Sequence, residues 1–327
     1  MKLIYKSRSG HTEDITALVT RITWSGTLSE AARKLEFSVL TSKMDRNLPY
    51  VAMEVGEVVH LIGENDQEIF QGYIFRKGKT LAGLEVSYSA YDRLIYLLKS
   101  SVSMKFKDLE ADKIVKMICA DLGVPVGKLP DSKVKLSFIH MGKTAYEAIM
   151  VAYTLVSKKT KGRPLYIPRM DKGKLTVVSS GEVVAKRMLS SASNLLDASY
   201  DEDIESMINV VRVIDQDGKL LDSVENKGWK DRYGKLQATV QKEDKKDVKT
   251  TGTAQLMGMQ RTASAQVQGG PDMIDMITGH MIKMNHGLFG RTGLFFVGGD
   301  THTFENGQHS IQLDLQFQKM MDERVAE

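Results

Sequence analysis

Within GDTHTFENGQHSIQLDL, residues 299–315, three side chains have the chemistry of a reactive centre: Asp300, His302 and His309. Two imidazoles and a carboxylate are a transition-metal donor set if they converge. Convergence depends on register around Asn306-Gly307, a pair that favours a two-residue type I′ hairpin because both positions need positive φ. With that loop, Glu305 faces Gln308, Phe304 faces His309 and His302 faces Ile311, and cross-strand partners share a face. Asp300, His302 and His309 then lie on one face with Ile311, Leu313 and Leu315. A structural reading competes. Near a hairpin tip such a face emerges into solvent or meets another subunit, where polar residues cost little, and one bulged residue would reverse the register. No fourth ligand or oriented base stands at a recognisable spacing elsewhere. The expectation is no metal, no cofactor and no catalytic residue, with Asp300, His302 and His309 as the remaining candidates and alanine at each leaving assembly near normal.

Other chemistries are weaker. GxSxG, Walker A and a GxGxxG after a strand are all absent from the sequence. His280 and His286 are six apart, neither the i, i+4 pair of a helix nor the i, i+2 pair of a strand, and read as loop residues. The carboxylates of DEDIE, 201–205, read as an acidic first helical turn. Tyr88, Tyr91 and Tyr96 could stack on a sugar, but an aromatic strand running into a Leu-rich turn reads as core.

The elements that must position these residues alternate in type along 327 residues, enough for two or three domains. RKLEFSVL, EVVHLIG, EIFQGYIFRKG and AGLEVSYSAY are strand patterns split by GEND and KGKT turns. From about residue 105 the period becomes helical, with Ala111, Ile114, Val115, Ile118 and Leu122 on one face and Gly123 and Pro125 as the stop. Thr144 and Glu147 form a capping box that starts a second helix. A hairpin RPLYIPR–MDKGK–LTVVSS follows. DEDIESMIN reads as a short helix, NVVRVID and LLDSVEN as a hairpin around QDGK, KEDKKDVK as a solvated loop or hairpin tip, and TAQLMGMQRTA as a short helix.

Composition excludes some functions. With 45 basic and 41 acidic residues the net charge is +4, too balanced for a nucleic-acid or membrane surface. The single Cys119 sits in an apolar run and reads as a small buried hydrophobe in a reducing compartment. MKLIYKSRSGHTEDIT lacks the apolar core of a signal peptide, and apolar runs are too short to span a bilayer.

Several stretches together resemble one family. DITALVTRITWSGTLSEAARKLEFSVL at 14–40, AYDRLIYLLKS at 90–100, ADKIVKMICADLGVPVG at 111–127, SMINVVRVID at 206–215 and GDTHTFENG at 299–307 are similar, in order, to the XkdQ/YqbQ tail proteins of myophages and PBSX-like prophages. These are related to the baseplate hub proteins, late control protein D and the N-terminal part of VgrG. The resemblance implies a mainly β chain with an α+β insert: β-barrel tube domains at 1–98 and 186–327, and a mixed middle region at 99–185 with a LysM-like unit near 107–130. It implies a non-enzymatic homotrimer joining the hexameric tail tube to the central spike. Implied contacts extend to other baseplate proteins, the tape measure and a LysM-containing tail protein, but not to nucleic acid or membrane. Such a chain is made in the bacterial cytoplasm and ends in the virion or tail-like particle. A tail-associated peptidoglycan hydrolase or a glycan-binding module is the alternative. Trp24, Tyr91, Asp92, Arg93 and Gly307 are the recognisable structural positions, Trp24 as a barrel-core or interface anchor. A trimer can match a hexameric tube only if each chain offers two roughly equivalent surfaces, expected here as two superposable barrels. One continuous sheet through both ends, or ends that do not superpose, would remove the physical basis of the hub reading.

Overall fold

The computed structural model describes residues 1–41, 51–80, 85–242, 247–285, 287 and 292–326. Its first strands are β1 (Lys2–Lys6), β2 (Thr12–Asp14), β3 (Val19–Thr27), β4 (Lys34–Leu40), β5 (Val58–Ile62), β6 (Glu68–Lys79) and β7 (Glu85–Tyr91). Leu35, Phe37 and Val39 alternate into the core as their period requires. The strands pair in the order β3-β4-β7-β6-β5-β1-β2. The KGKT run, expected as a turn, continues β6 as far as Lys79, where it pairs with β7, and residues 81–84 lie outside the described residues.

The middle of the chain supplies α1 (Leu94–Lys99), β8 (Ser101–Glu110), α2 (Ala111–Asp121), β9 (Lys135–Thr144), α3 (Ala145–Lys159), β10 (Tyr166–Asp171) and β11 (Lys174–Ser179). Helix α2 ends as expected: Gly123 has φ +64, and the Val124 N–H reaches back to the Cys119 carbonyl at 2.8 Å. Its face of Ala111, Ile114, Val115 and Ile118 is buried in one cluster with α3. Burying each larger member contributes about 1.5–3 kcal/mol. Helix α3 begins at the Thr144–Glu147 capping box, with the Glu147 N–H donating to Thr144 Oγ1 at 3.1 Å. It is apolar around most of its circumference and forms the centre of that core. Cys119 is fully buried and its thiol is pushed up to about 12 by burial, so it packs as a hydrophobe. Between the antiparallel strands β8 and β9 the described residues hold one helix, α2, whose apolar face is spent on packing.

The remaining strands and helices are β12 (Leu189–Ser190), β13 (Leu195–Asp203), β14 (Val210–Ile214), β15 (Leu220–Glu225), α4 (Lys227–Tyr233), β16 (Gln237–Gln241), α5 (Val248–Thr253), β17 (Gln260–Gln268), β18 (Met281–Asn285), β19 (Gly293–Glu305) and β20 (Gln308–Gln316). The chain divides into two compact units, Met1–Ala198 with Ser264–Glu327, and Ser199–Ala263. In the second, β14 pairs antiparallel with β15 and parallel with β16.

Three expectations need correction. The two β-rich ends are not separate closed barrels. Strand β19 pairs with β3 from Gly299↔Thr27 to Glu305↔Arg21, so one sheet runs β13-β17-β20-β19-β3-β4-β7-β6-β5-β1-β2. Among the described residues no pairing closes either set into a ring. Each set would otherwise leave a long strand, β3 or β19, with an open row of backbone groups, and joining the two rows satisfies both. DEDIE is not a helix start: Leu195–Asp203 is strand, and Asp203 Oδ1 accepts from the Glu205 N–H at 2.6 Å in a side-chain-closed turn. The short helix expected in TAQLMGMQRTA lies earlier, at Val248–Thr253, because Asp247 caps it by accepting from the Thr250 N–H. Asp247 belongs to the charge run read as a loop, of which residues 243–246 lie outside the described residues.

The final hairpin agrees with its sequence. Asn306 and Gly307 have φ +51 and +74, and the register runs Glu305↔Gln308, Phe304↔His309, His302↔Ile311 and Asp300↔Leu313. A Cβ at Gly307 meets nothing within 4 Å, so the cost of replacing it is purely conformational. Gly307→Val should destabilise the protein by about 1 kcal/mol or more, and Gly307→Asn by much less. Thermal denaturation checks this, and equal melting of the valine variant and wild type would refute it.

Candidate functional site

The seam where β19 meets β3 gathers the residues singled out above. Asp300 lies opposite Gly26, and His302 opposite Trp24. The chain before β4 brings Arg33 over the same place, with its guanidinium carbon 3.9 Å from the Trp24 ring centre. A side chain at position 26 would close this route, since a Cβ there would stand 2.6 Å from Arg33 Nη1.

Asp300, His302 and His309 do converge, but not at a surface. Asp300 is 3% exposed and His302 fully buried, which corrects the expectation that this face emerges near the hairpin tip. Their neighbours within the chain cover it. Arg33 donates to Asp300 through both arms of its fork, Nη1 to Oδ1 at 2.9 Å and Nη2 to Oδ2 at 2.5 Å. Thr278 adds its N–H and its hydroxyl to Oδ1, each at 2.7 Å. His302 Nε2 lies 3.1 Å from the Met276 carbonyl, which requires the proton on that nitrogen. His302 Nδ1 then accepts from His309 Nε2 at 3.0 Å. Asp300 Oδ1 and His302 Nδ1 are thus engaged by neighbours within the chain. Tolerance of Asp300→Ala no longer follows, because that change would strand a buried guanidinium.

The electrostatics fit a structural cluster. Burial alone would raise Asp300, but the Arg33 guanidinium and its hydrogen bonds outweigh burial and hold the carboxyl below its usual range. Burial drives both His302 and His309 down to about 4. Asp92, 3% exposed, is pushed up to about 7 by burial, although it accepts from the Leu94 N–H at 3.0 Å and the Arg33 N–H at 3.2 Å. Arg33 therefore links Asp92, through its backbone, to Asp300, through its side chain.

These shifts fix a pH dependence. Below an unfolded pKa near 6.5 the unfolded chain protonates imidazoles that the native state keeps neutral, so stability is lost as pH falls from about 6.5 towards 4. Buried His280, also lowered by burial, acts in the same sense. Asp92 opposes them: its raised native pKa contributes stability at low pH that is lost as pH rises through about 7. Asp314, also raised by burial, acts with Asp92, and three imidazoles against two carboxyls leave a net loss on acidification. Urea titrations between pH 7.5 and 4.5 should show it, and His302→Gln should flatten the slope by up to about 1.4 kcal/mol per pH unit. An unchanged slope in that variant would refute the assignment.

The other expected positions lie apart from this cluster or at its rim. Tyr88 is buried and stacks on Phe37 at 5.2 Å. Tyr91 and Tyr96 meet Phe75 at 5.8 Å each, and Phe75 and Tyr96 keep 43% and 37% of their surface exposed. Arg93 donates to Tyr73 Oη at 2.8 Å. His280 lies in a loop but is buried, with Nδ1 2.8 Å from the Asp275 carbonyl and Nε2 2.9 Å from Arg169 Nη1. His286 lies outside the described residues. Sequence reasoning missed Arg33, Gly26 and Thr278. Arg33 and Asp300 are 267 positions apart, and no local period links them.

The order of these stretches and the fold agree with known proteins. The YQBQ-like family model matches residues 22–316, nearly the whole chain. The chain belongs to the YQBQ-like family. The phage-like element PBSX protein XkdQ of Bacillus subtilis (strain 168) is 24% identical over 336 residues, covering 96% of this chain and 97% of its own length. Among solved structures, the 43 kDa tail protein of prophage MuSo2 from Shewanella oneidensis has a TM-score of 0.70 at 11% identity, covering 96% of this chain and 98% of that one. A chain of the Francisella PdpA–VgrG complex has a TM-score of 0.58 at 10% identity, covering 98% of this chain and 53% of that one. At these identities the structural likeness is one of fold. All five quoted stretches overlap the matched span, and the Arg33–Asp300 seam lies inside it.

Proposed function

We propose that this chain is a structural hub protein of the baseplate of a contractile phage tail or phage-tail-like particle, acting as a trimeric ring between the hexameric tail tube and the central spike. The observation that carries this reading is family membership together with a phage tail-protein fold spanning 96% of the chain and 98% of its structural relative. Likeness to a chain of a VgrG complex agrees with it. The two-barrel symmetry expected as the physical basis of the hub is absent, because one continuous sheet joins the two ends, so the reading rests on family membership and fold. On this reading residues 1–98 and 186–327 face the tube, and 99–185 bridges them. The Asp300–His302–His309 cluster, with Trp24, Asp92 and Gly307, serves to hold that sheet together and performs no catalysis.

Electron cryomicroscopy of tail particles carrying a labelled copy of this chain tests the proposal. Three labels in one ring at the junction of tube and spike are expected. Labels along the tube or outside the baseplate, or a copy number other than three, would overturn it. A monomer in isolation is neutral, because a ring that closes on a partner need not close alone. A cell-wall zymogram tests the non-catalytic part, and clearing by the purified chain would refute it.

A further inference from the structure

Beside the Arg33–Asp300 pair lies a half-open cavity of about 320 Å³ whose wall includes Trp24, Arg33, Arg169 and Asp275. The Arg33 fork is spent on Asp300, yet its Nε is buried without a partner, and so is Trp24 Nε1. Both donors come from one stacked pair, and Trp24 keeps only 3% of its surface. Arg169 adds a guanidinium that touches His280 Nε2 at 2.9 Å and has no carboxylate at ion-pair distance among the described residues. Burial disfavours its charge, holding it below the usual arginine range. A half-buried cation that Asp171 and Glu182 stabilise only from beyond ion-pair distance, and two buried N–H groups without acceptors, make the same demand, for a bound oxygen anion.

One buried acceptor refines the demand. Asp275 Oδ2 accepts from the Lys186 N–H at 3.0 Å, but Oδ1 is buried without a donor. The other carboxylates of the wall do not compete for the ligand's place. Glu68, Asp272 and Asp322 are paired with His60, Arg187 and Arg324, and Asp171 is exposed. We propose that this cavity binds a small oxyanion that still carries a proton, of the hydrogen phosphate class. Its oxygens accept from Arg33 Nε, Trp24 Nε1 and Arg169, and its hydroxyl donates to Asp275 Oδ1. Free phosphate and a phosphate monoester share this chemistry.

Calorimetric titration of the full chain at neutral pH and constant ionic strength tests it, with inorganic phosphate, glycerol 3-phosphate and sulfate as probes. Sulfate has the shape of phosphate but no proton at that pH. One saturable site is expected, with phosphate about tenfold tighter than sulfate, since one charge-assisted bond is at stake. The monoester binding more tightly than phosphate would identify an esterified ligand, and the reverse a free ion. Trp24→Phe and Arg169→Gln should each weaken phosphate by about tenfold, and Asp275→Asn should narrow the gap to sulfate. Arg169 lies outside the seam, so its variant keeps the test valid if Trp24→Phe unfolds. Absence of a saturable phosphate site, equal affinity for sulfate, wild-type affinity in Arg169→Gln, or a crystal structure from phosphate with only water on these donors would overturn the proposal.

Discussion

Asp300→Ala should destabilise the protein by about 3–5 kcal/mol, because it removes one partner of a buried pair and leaves the other charged. Asp300 has no exposed side-chain surface and Arg33 keeps only 15% of its own, so water replaces the lost bonds only in part. The Thr278 N–H loses its acceptor at the same time, while the Thr278 hydroxyl still has the Gly26 carbonyl at 2.8 Å. Arg33→Ala should cost a similar amount by stranding the carboxylate. Arg33→Lys should recover little, since a point charge cannot satisfy both carboxylate oxygens in the geometry of a fork. The double variant Arg33→Met with Asp300→Leu should be more stable than either alanine variant, because replacing both ions with apolar groups removes the desolvation cost along with the attraction. Urea unfolding of the four proteins checks this. A loss below about 1 kcal/mol for both alanine variants would mean that the pair is hydrated and not part of the seam.

Asn209→Leu should destabilise the Ser199–Ala263 unit by about 2–3 kcal/mol. Asn209 is fully buried, and all its polar groups are in use. Its side chain accepts from the Leu236 N–H at 2.9 Å and donates to the Gly234 carbonyl at 2.8 Å. Its backbone donates to the Leu236 carbonyl at 3.0 Å and accepts from the Asn226 N–H at 2.9 Å. It therefore ties β14 to the segments that lead into α4 and β16. Leucine fills a similar volume but leaves the Leu236 N–H without an acceptor. Hydrogen exchange should show lost protection across β14–β16, with protection in α3 unchanged. Uniform loss across the whole chain would show that the unit does not open by itself.

Much of the local structure, and the composition of the candidate site, follow from the sequence alone. Asn306-Gly307 determines the turn because few residues tolerate positive φ, and the turn determines the register that places Asp300, His302 and His309 on one face. Thr144 with Glu147 and Gly123 set helix ends for equally local reasons, since a cap is satisfied within three or four residues. The ordered family stretches were legible for the same reason, each being a short run of neighbouring residues. Where local signals competed, the strand partner decided: Glu202 pairs with Arg261, and the acidic run extends β13 although it reads as a helix start.

Tertiary structure alone decided what that one face means. Alternation says which side chains share a side of a sheet, but not what covers that side. The cover here is Arg33, which meets Asp300 across 267 positions of chain, and that contact places Asp300 and His302 in a buried, hydrogen-bonded cluster. The joining of the two ends was hidden for the same reason. A strand pattern specifies that its edges need partners, and the hydrogen bonds that satisfy them are made by backbone groups every residue carries, so the choice of β3 for β19 is written in the packing of the whole unit and not in either strand.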